Sequence, residues 1–282
     1  MSTRGWFRNT ALALGLAFLY IPILSMMVFS FNNSRMVTVW DSVNSPTLRW
    51  YVRLFENEQL LGAAWISLQI AAMTATGAVI LGTLAGLVLT RFGPFRGRAL
   101  LSAMTTAPLV MPEIIMGIAM LLLFVSLEQL IGWPTGRGML TIVIAHITFT
   151  MAYVTVVIQS RLAGFDDALE EAARDLGARP VTVFFRITLP LIAPALVSGW
   201  LLAFTLSWDD VVISQFVAGP GSSTLPMEIF SRVRRGVSPD INALATIMVL
   251  IVATGVVAST VWMKRQERKR LLEEQMARSD AG

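Results

Sequence analysis

The chain has 282 residues, 55% of them hydrophobic and 14% charged, with a formal net charge of +4 and a mean hydropathy of +0.67. A soluble domain of this size carries more charge, and here the apolar residues gather into long runs, as in a polytopic membrane protein. With no cysteine and one histidine, His146, the sequence excludes disulfides, thiolate catalysis and Cys- or His-rich metal centres. The basic residues flank apolar runs, which ties them to membrane topology rather than to nucleic acid.

Taken in order, Arg4 and Arg8 precede an apolar run over 11–31. It is longer than a signal-peptide core and is followed by Asn32 and Asn33 rather than a small-x-small cleavage site, so we read it as a retained first span. Tyr20 and Pro22 predict a kink within it, packed against neighbours. A polar loop to Leu61 carries Trp40, Trp50 and Tyr51, with Trp65 just beyond, which are expected at the membrane interface. The second span, 62–90, is rich in Ala and Gly, which permit close helix packing. The third, 100–125, is interrupted by Pro108 and Pro112, and the fourth covers 139–158.

Residues 161–190 are polar and charged between two apolar segments. Asp166 and Asp167 are suited to cap a first short helix, which Gly177 ends. Pro180 starts a second, with Pro190 as the next break. Together they predict an L-shaped knob outside the membrane. The fifth span, 191–218, is interrupted by Trp208-Asp209-Asp210. Pro226 to Val233 reads as a short amphipathic helix, and Ser238 and Pro239 launch the sixth span, 242–263, before a charged tail. The expectation is an all-α polytopic membrane protein of six transmembrane helices forming a single domain over 1–282.

Six spans place both termini on one side. That side holds fifteen basic residues against seven on the other, so the positive-inside rule puts the termini and the knob in the cytoplasm. The two lysines, Lys264 and Lys269, are each followed by arginine, so a G-x4-G-K-[ST] phosphate loop cannot be written anywhere. If ATP drives this protein, another chain must bind it. No nucleophile–His–acid constellation is evident, and we expect no catalysis in this subunit.

Polar residues inside the spans are few and therefore informative. Glu113, after Pro112, can attract a cation where the prolines loosen backbone bonding, or can sit at a helix end in a structural role. Trp208 with Asp209 and Asp210 suits an ammonium through charge pairing and cation–π attraction; the alternative is an interfacial Trp with two wetted aspartates. Adjacent carboxylates on a helix point about 100° apart, so at most one faces a given groove. His146, near Thr148, Thr150 and Tyr153, fits interhelical hydrogen bonding better than a proton relay. Arg232, Arg234 and Arg235 beside Glu228 form an outer charged patch that can meet a soluble receptor or simply be solvated.

Glu171, Ala172 and Ala173, then three residues, Gly177, nine residues, Ile187, Leu189 and Pro190 complete the pattern E-A-A-x3-G-x9-I-x-L-P. This resembles the EAA loop of permease subunits in bacterial ABC importers. The resemblance implies a MetI-like permease fold and a coupling role for Glu171, Ala172, Ala173 and Gly177, docked in a groove of a separate ATPase subunit. Residues 207–248, with D-D-V-V-I-S, G-P-G-x-x-T-L-P and P-D-I-N-A-L-A-T in order, are similar to the second permease subunit of putrescine and spermidine importers. That similarity implies a bacterial inner-membrane location and three partners: an ATPase dimer holding ATP and Mg, a second homologous permease, and a periplasmic polyamine-binding protein. It implies no cofactor in this chain. Glu113, Trp208 and Asp209 stand where such importers use acidic and aromatic pathway residues, with Glu113 in place of an expected Asp. Rival readings are an importer for another solute (sugar, sulfate or iron complex), an ion-driven carrier and a membrane scaffold. The acidic pathway residues argue against anions.

Overall fold

The computed structural model describes residues 3–34, 39–164, 168–235, 239–255, 257 and 261, and every regular element among them is helical. Asp166, Asp167, Ser238, the charged tail and the end of the sixth span lie outside the described residues. Five helices are long and apolar enough to cross a membrane, and a shorter apolar helix covers Pro239–Gly255. The fold is therefore that of an all-α polytopic membrane protein. Contacts divide the chain into two compact units, Gln59–Ser231 and the paired segments Met1–Glu58 and Arg232–Gly282.

The larger unit contains nearly all of α3 (Glu58–Arg91), then α4 (Arg98–Val110), α5 (Glu113–Ile131), α6 (Met139–Ala163), α7 (Ala168–Asp175), α8 (Pro180–Val183), a π-helical turn (Phe184–Thr188), α9 (Leu189–Trp208), α10 (Val212–Val217) and most of α11 (Leu225–Arg235). Helix α6 is central: more than half of its most apolar window is buried, against about a sixth for α5. One apolar cluster joins α3, α5, α6 and α10 through Ile70, Phe124, Ile142, Phe149 and Ile213. A second joins α3, α6 and α9 through Ala78, Val154, Ile158 and Ile192. Lipid tails are as apolar as these side chains, so close packing has to hold the helices together. Gly82 supplies it on one side of α6, where a Cβ would lie 2.8 Å from Val154, and Gly199 on another, where it would lie 3.3 Å from the same residue.

Three expectations change. The third span is two helices, because Met111 (ψ 135°) and Pro112 (ψ 135°) are extended, whereas Pro108 is accommodated inside α4. Pro112 forces the preceding residue out of the helical region. The second knob helix does not stop at Pro190. It runs from Pro180 through the π turn into α9 as one apolar helix to Trp208. Pro190 has no N–H and its ring needs room on the turn before it; the wider π turn immediately upstream provides that room. Helix α3 is also longer than the span 62–90. Its 34 residues reach about 50 Å, well beyond the roughly 30 Å hydrocarbon core.

In the smaller unit, α1 (Thr3–Phe29) continues through Pro22 and leaves Tyr20 exposed rather than packed as expected. Trp50, on α2 (Arg49–Phe55), is not an interfacial anchor. It is buried, donates its indole N–H to the Asn32 carbonyl at 2.6 Å, and lies beneath Arg49 and Arg53. Asn32 organises the same loop, donating to the Val39 carbonyl (2.6 Å) and accepting from the Asp41 amide (2.9 Å). Helix α12 (Pro239–Gly255) carries Asp240, which pairs with Arg232 at 3.1 Å.

Candidate functional site

The residues singled out from sequence fall at the two ends of α9. At one end, α9 stops at Trp208 and the chain restarts as α10 after Asp209, Asp210 and Val211. The restart is built around Asp210. Its carboxylate accepts the backbone N–H groups of Ile213 (3.2 Å) and Ser214 (2.7 Å), capping the positive end of α10. The same carboxylate lies 3.1 Å from His146 Nε2, which also meets the Ser214 hydroxyl at 3.1 Å; His146 Nδ1 meets the Ser207 hydroxyl at 2.8 Å. His146 is fully buried on α6, so this network ties α6 to both halves of the broken span. Asp210, expected with Asp209 among the pathway residues, is buried, and its oxygens meet amides and imidazole. Asp209 is exposed, the outward member of the pair.

Trp208 is half-buried. It stacks on Phe204 (centroids 5.9 Å, 14° between planes), and Phe204 stacks on Trp200 (5.2 Å, 17°). Trp200 donates its N–H to Thr76 Oγ1 of α3 at 3.2 Å. The i, i+4 spacing of three aromatics was legible in the sequence; their stacking was not. Glu113 is the first residue of α5, exposed, at the positive end of the helix that its charge favours. One turn later, Gly117 lets Phe216 of α10 pack against the α5 backbone, since a Cβ there would overlap the Phe ring. The helix start that carries Glu113 thus abuts the helix that follows Asp209 and Asp210. Beyond α10, Gly219 passes so close to the Arg137 carbonyl that any side chain would collide, and Thr141 donates to the Val217 carbonyl at 2.7 Å.

At the other end lies the knob. Helix α7 closes in a Schellman turn: Gly177 has φ +84°, its N–H reaches the Arg174 carbonyl (2.8 Å), and the Ala178 N–H reaches that of Ala173 (3.0 Å). Glu171, Ala172 and Gly177 are exposed, and Ala173 is half-exposed. Leu169, Leu176, Val181 and Phe185 around them are also exposed, Leu176 at 90%. Such a cluster of bare apolar side chains on a charged knob is the composition of a protein-docking surface.

The residue that sequence reasoning passed over is Glu170. It is buried on an otherwise exposed helix and accepts a hydrogen bond from Thr188 Oγ1 at 2.7 Å. Arg91 stands 3.5 Å away and Arg174 3.4 Å away. The Arg174 pairing is an i, i+4 contact readable from the sequence. The partners from α3 and the π turn are brought there only by the fold.

The match to the binding-protein-dependent transport system inner membrane component covers residues 78–271, and the chain belongs to that family. Among its relatives, the chain is 54% identical over 277 residues to the putrescine transport system permease protein PotI of Escherichia coli (strain K12), covering 98% of this chain and 97% of that one. It is 44% identical over 257 residues to the spermidine/putrescine transport system permease protein PotC of Haemophilus influenzae, covering 91% and 96%. A bacterial ABC transporter that imports the polysaccharide alginate has the same fold, with a TM-score of 0.70 at 15% identity over 94% of this chain and 98% of that one. The methionine transporter MetNI matches at a TM-score of 0.57 and 17% identity, over 71% and 92%.

Proposed function

We propose that this chain is a permease subunit of an ATP-driven importer that moves a polyamine, putrescine or spermidine, into the cytoplasm. The observation that carries the substrate class is the broken fifth span, where an exposed carboxylate, Asp209, follows the aromatic stack ending at Trp208. An ammonium group leaving water needs a counter-charge and a π face, and that break supplies both. Glu113, at the start of α5, adds a second carboxylate to the path. Sparse acids compensate for lost hydration without trapping a polycation. The names of the relatives support the same substrate.

The subunit itself performs no catalysis and holds no cofactor. ATP and Mg bind a separate cytoplasmic ATPase dimer, which grips Glu171, Ala172, Ala173 and Gly177 on the knob. A periplasmic binding protein delivers the substrate, and a second, homologous permease completes the path as a heterodimer. Both termini lie in the cytoplasm, on the side with more arginine and lysine. Closure of the ATPases moves the knob, and the two permeases rock between outward- and inward-open states.

Uptake of labelled putrescine and spermidine into liposomes holding the full complex tests this reading. Asp209→Asn is expected to lower uptake at least tenfold while the complex assembles normally. Unchanged uptake in that variant would move Asp209 to an interfacial role. Uptake of neither polyamine by the wild-type complex would assign the importer to another solute.

A further inference from the structure

Between α7 and the helix that runs from Pro180 to Trp208, the covalent connection is a turn. The chain turns at Gly177, restarts at Pro180 and passes through the π turn at Phe184–Thr188, with Pro190 removing one more backbone hydrogen bond. A push on α7 would be absorbed there unless something bridged it. Glu170 is that bridge. Its carboxylate is bonded to Thr188, the last residue of the π turn, where α9 begins its 20-residue run to Trp208. It is paired with Arg91, the last residue of α3, and with Arg174 on its own helix. A hydroxyl donating to a carboxylate at 2.7 Å is a short, charge-assisted bond. Burying a carboxylate is costly and is offset here by three partners, two of them on the elements that would have to move. A groove of about 380 Å³ opens beside it, bordered by Leu87, Phe92 and Phe184, so the knob is not packed solid against the helices and has space to shift.

We infer that Glu170, rather than its exposed neighbour Glu171, is the positioning residue that passes displacement of the knob to the roots of α9 and α3. The inference rests on the coupling role proposed above. Glu171 meets the ATPase; Glu170 carries the motion inward.

The test uses the complete complex in liposomes, with ATP hydrolysis measured with and without loaded binding protein. Glu170→Gln and Thr188→Val are expected to co-purify with the ATPase in the wild-type ratio and to lose at least fivefold of the receptor-stimulated hydrolysis. Thr188→Ser, which keeps the hydroxyl, is expected to restore it. Wild-type stimulation in Thr188→Val overturns the proposal, as does loss of ATPase co-purification in Glu170→Gln, which would make the residue a support for the docking surface. Should Glu170→Gln fail to insert, the Thr188→Val and Thr188→Ser pair decides alone. Glu171→Lys separates the two levels. If it uncouples while the Glu170 and Thr188 variants do not, only this proposal falls; if stimulation survives in Glu171→Lys as well, the coupling reading falls with it.

Discussion

Helix α9 is held at each end by a buried carboxylate, and the two are held differently. Asp210 takes its partners mostly from its own stretch of chain: amides three and four residues on, with His146 as the long-range contact. Backbone amides fixed in a helix start cannot follow a moving side chain, so Asp210 is a static cap that sets where the span breaks. Glu170 takes its partners from long or rotatable side chains, Arg174 on its own helix and Arg91 and Thr188 on separate elements. Such contacts can persist while the elements shift. The comparison separates a carboxylate that fixes geometry from one suited to transmit it.

The largest effect should come from breaking the static end. Asp210→Ala leaves His146 and the α10 amides buried without their acceptor, and each buried donor left unsatisfied costs about 1–3 kcal/mol. Thermal unfolding of the detergent-purified protein should show the loss, and a midpoint equal to wild type would remove the capping role. At the knob end, Glu171→Lys should leave that midpoint unchanged and cut ATP-driven uptake at least tenfold, because Glu171 is exposed and its proposed partner is another protein. A stability loss in this variant would blur the contrast between the two neighbouring glutamates. The smallest effect belongs to Arg174→Ala. Arg174 is 56% exposed and its i, i+4 pairing with Glu170 is screened by solvent, so roughly 0.3–0.5 kcal/mol is expected. A larger loss would mean that Glu170 depends on Arg174 rather than on Arg91 and Thr188.

Much of this architecture was legible before any coordinates. Long apolar runs, the knob closed at Gly177 and the break at Trp208-Asp209-Asp210 are local signals, written in hydropathy and in residues with special backbone demands. The misreadings share a cause. Pro190 looked like a stop because a proline normally ends a helix, but a π turn upstream made room for its ring. Trp50 looked like a lipid anchor because aromatics collect at interfaces, but the Asn32 carbonyl captured its N–H. Asp209 and Asp210 were expected to diverge, but spacing did not say which of the two turns inward.

Hydropathy alone was enough for membrane class and helical character, because burial in lipid obliges a continuous apolar chain to satisfy its backbone within itself. The two lysines, each followed by arginine, excluded a G-x4-G-K-[ST] loop in this chain. What the fold decided was pairing across distance. It brought Glu170 to Arg91 and Thr188, and His146 to Asp210. A buried charge is tolerable only where partners converge on it, and that convergence is a property of three dimensions that no spacing along the chain records.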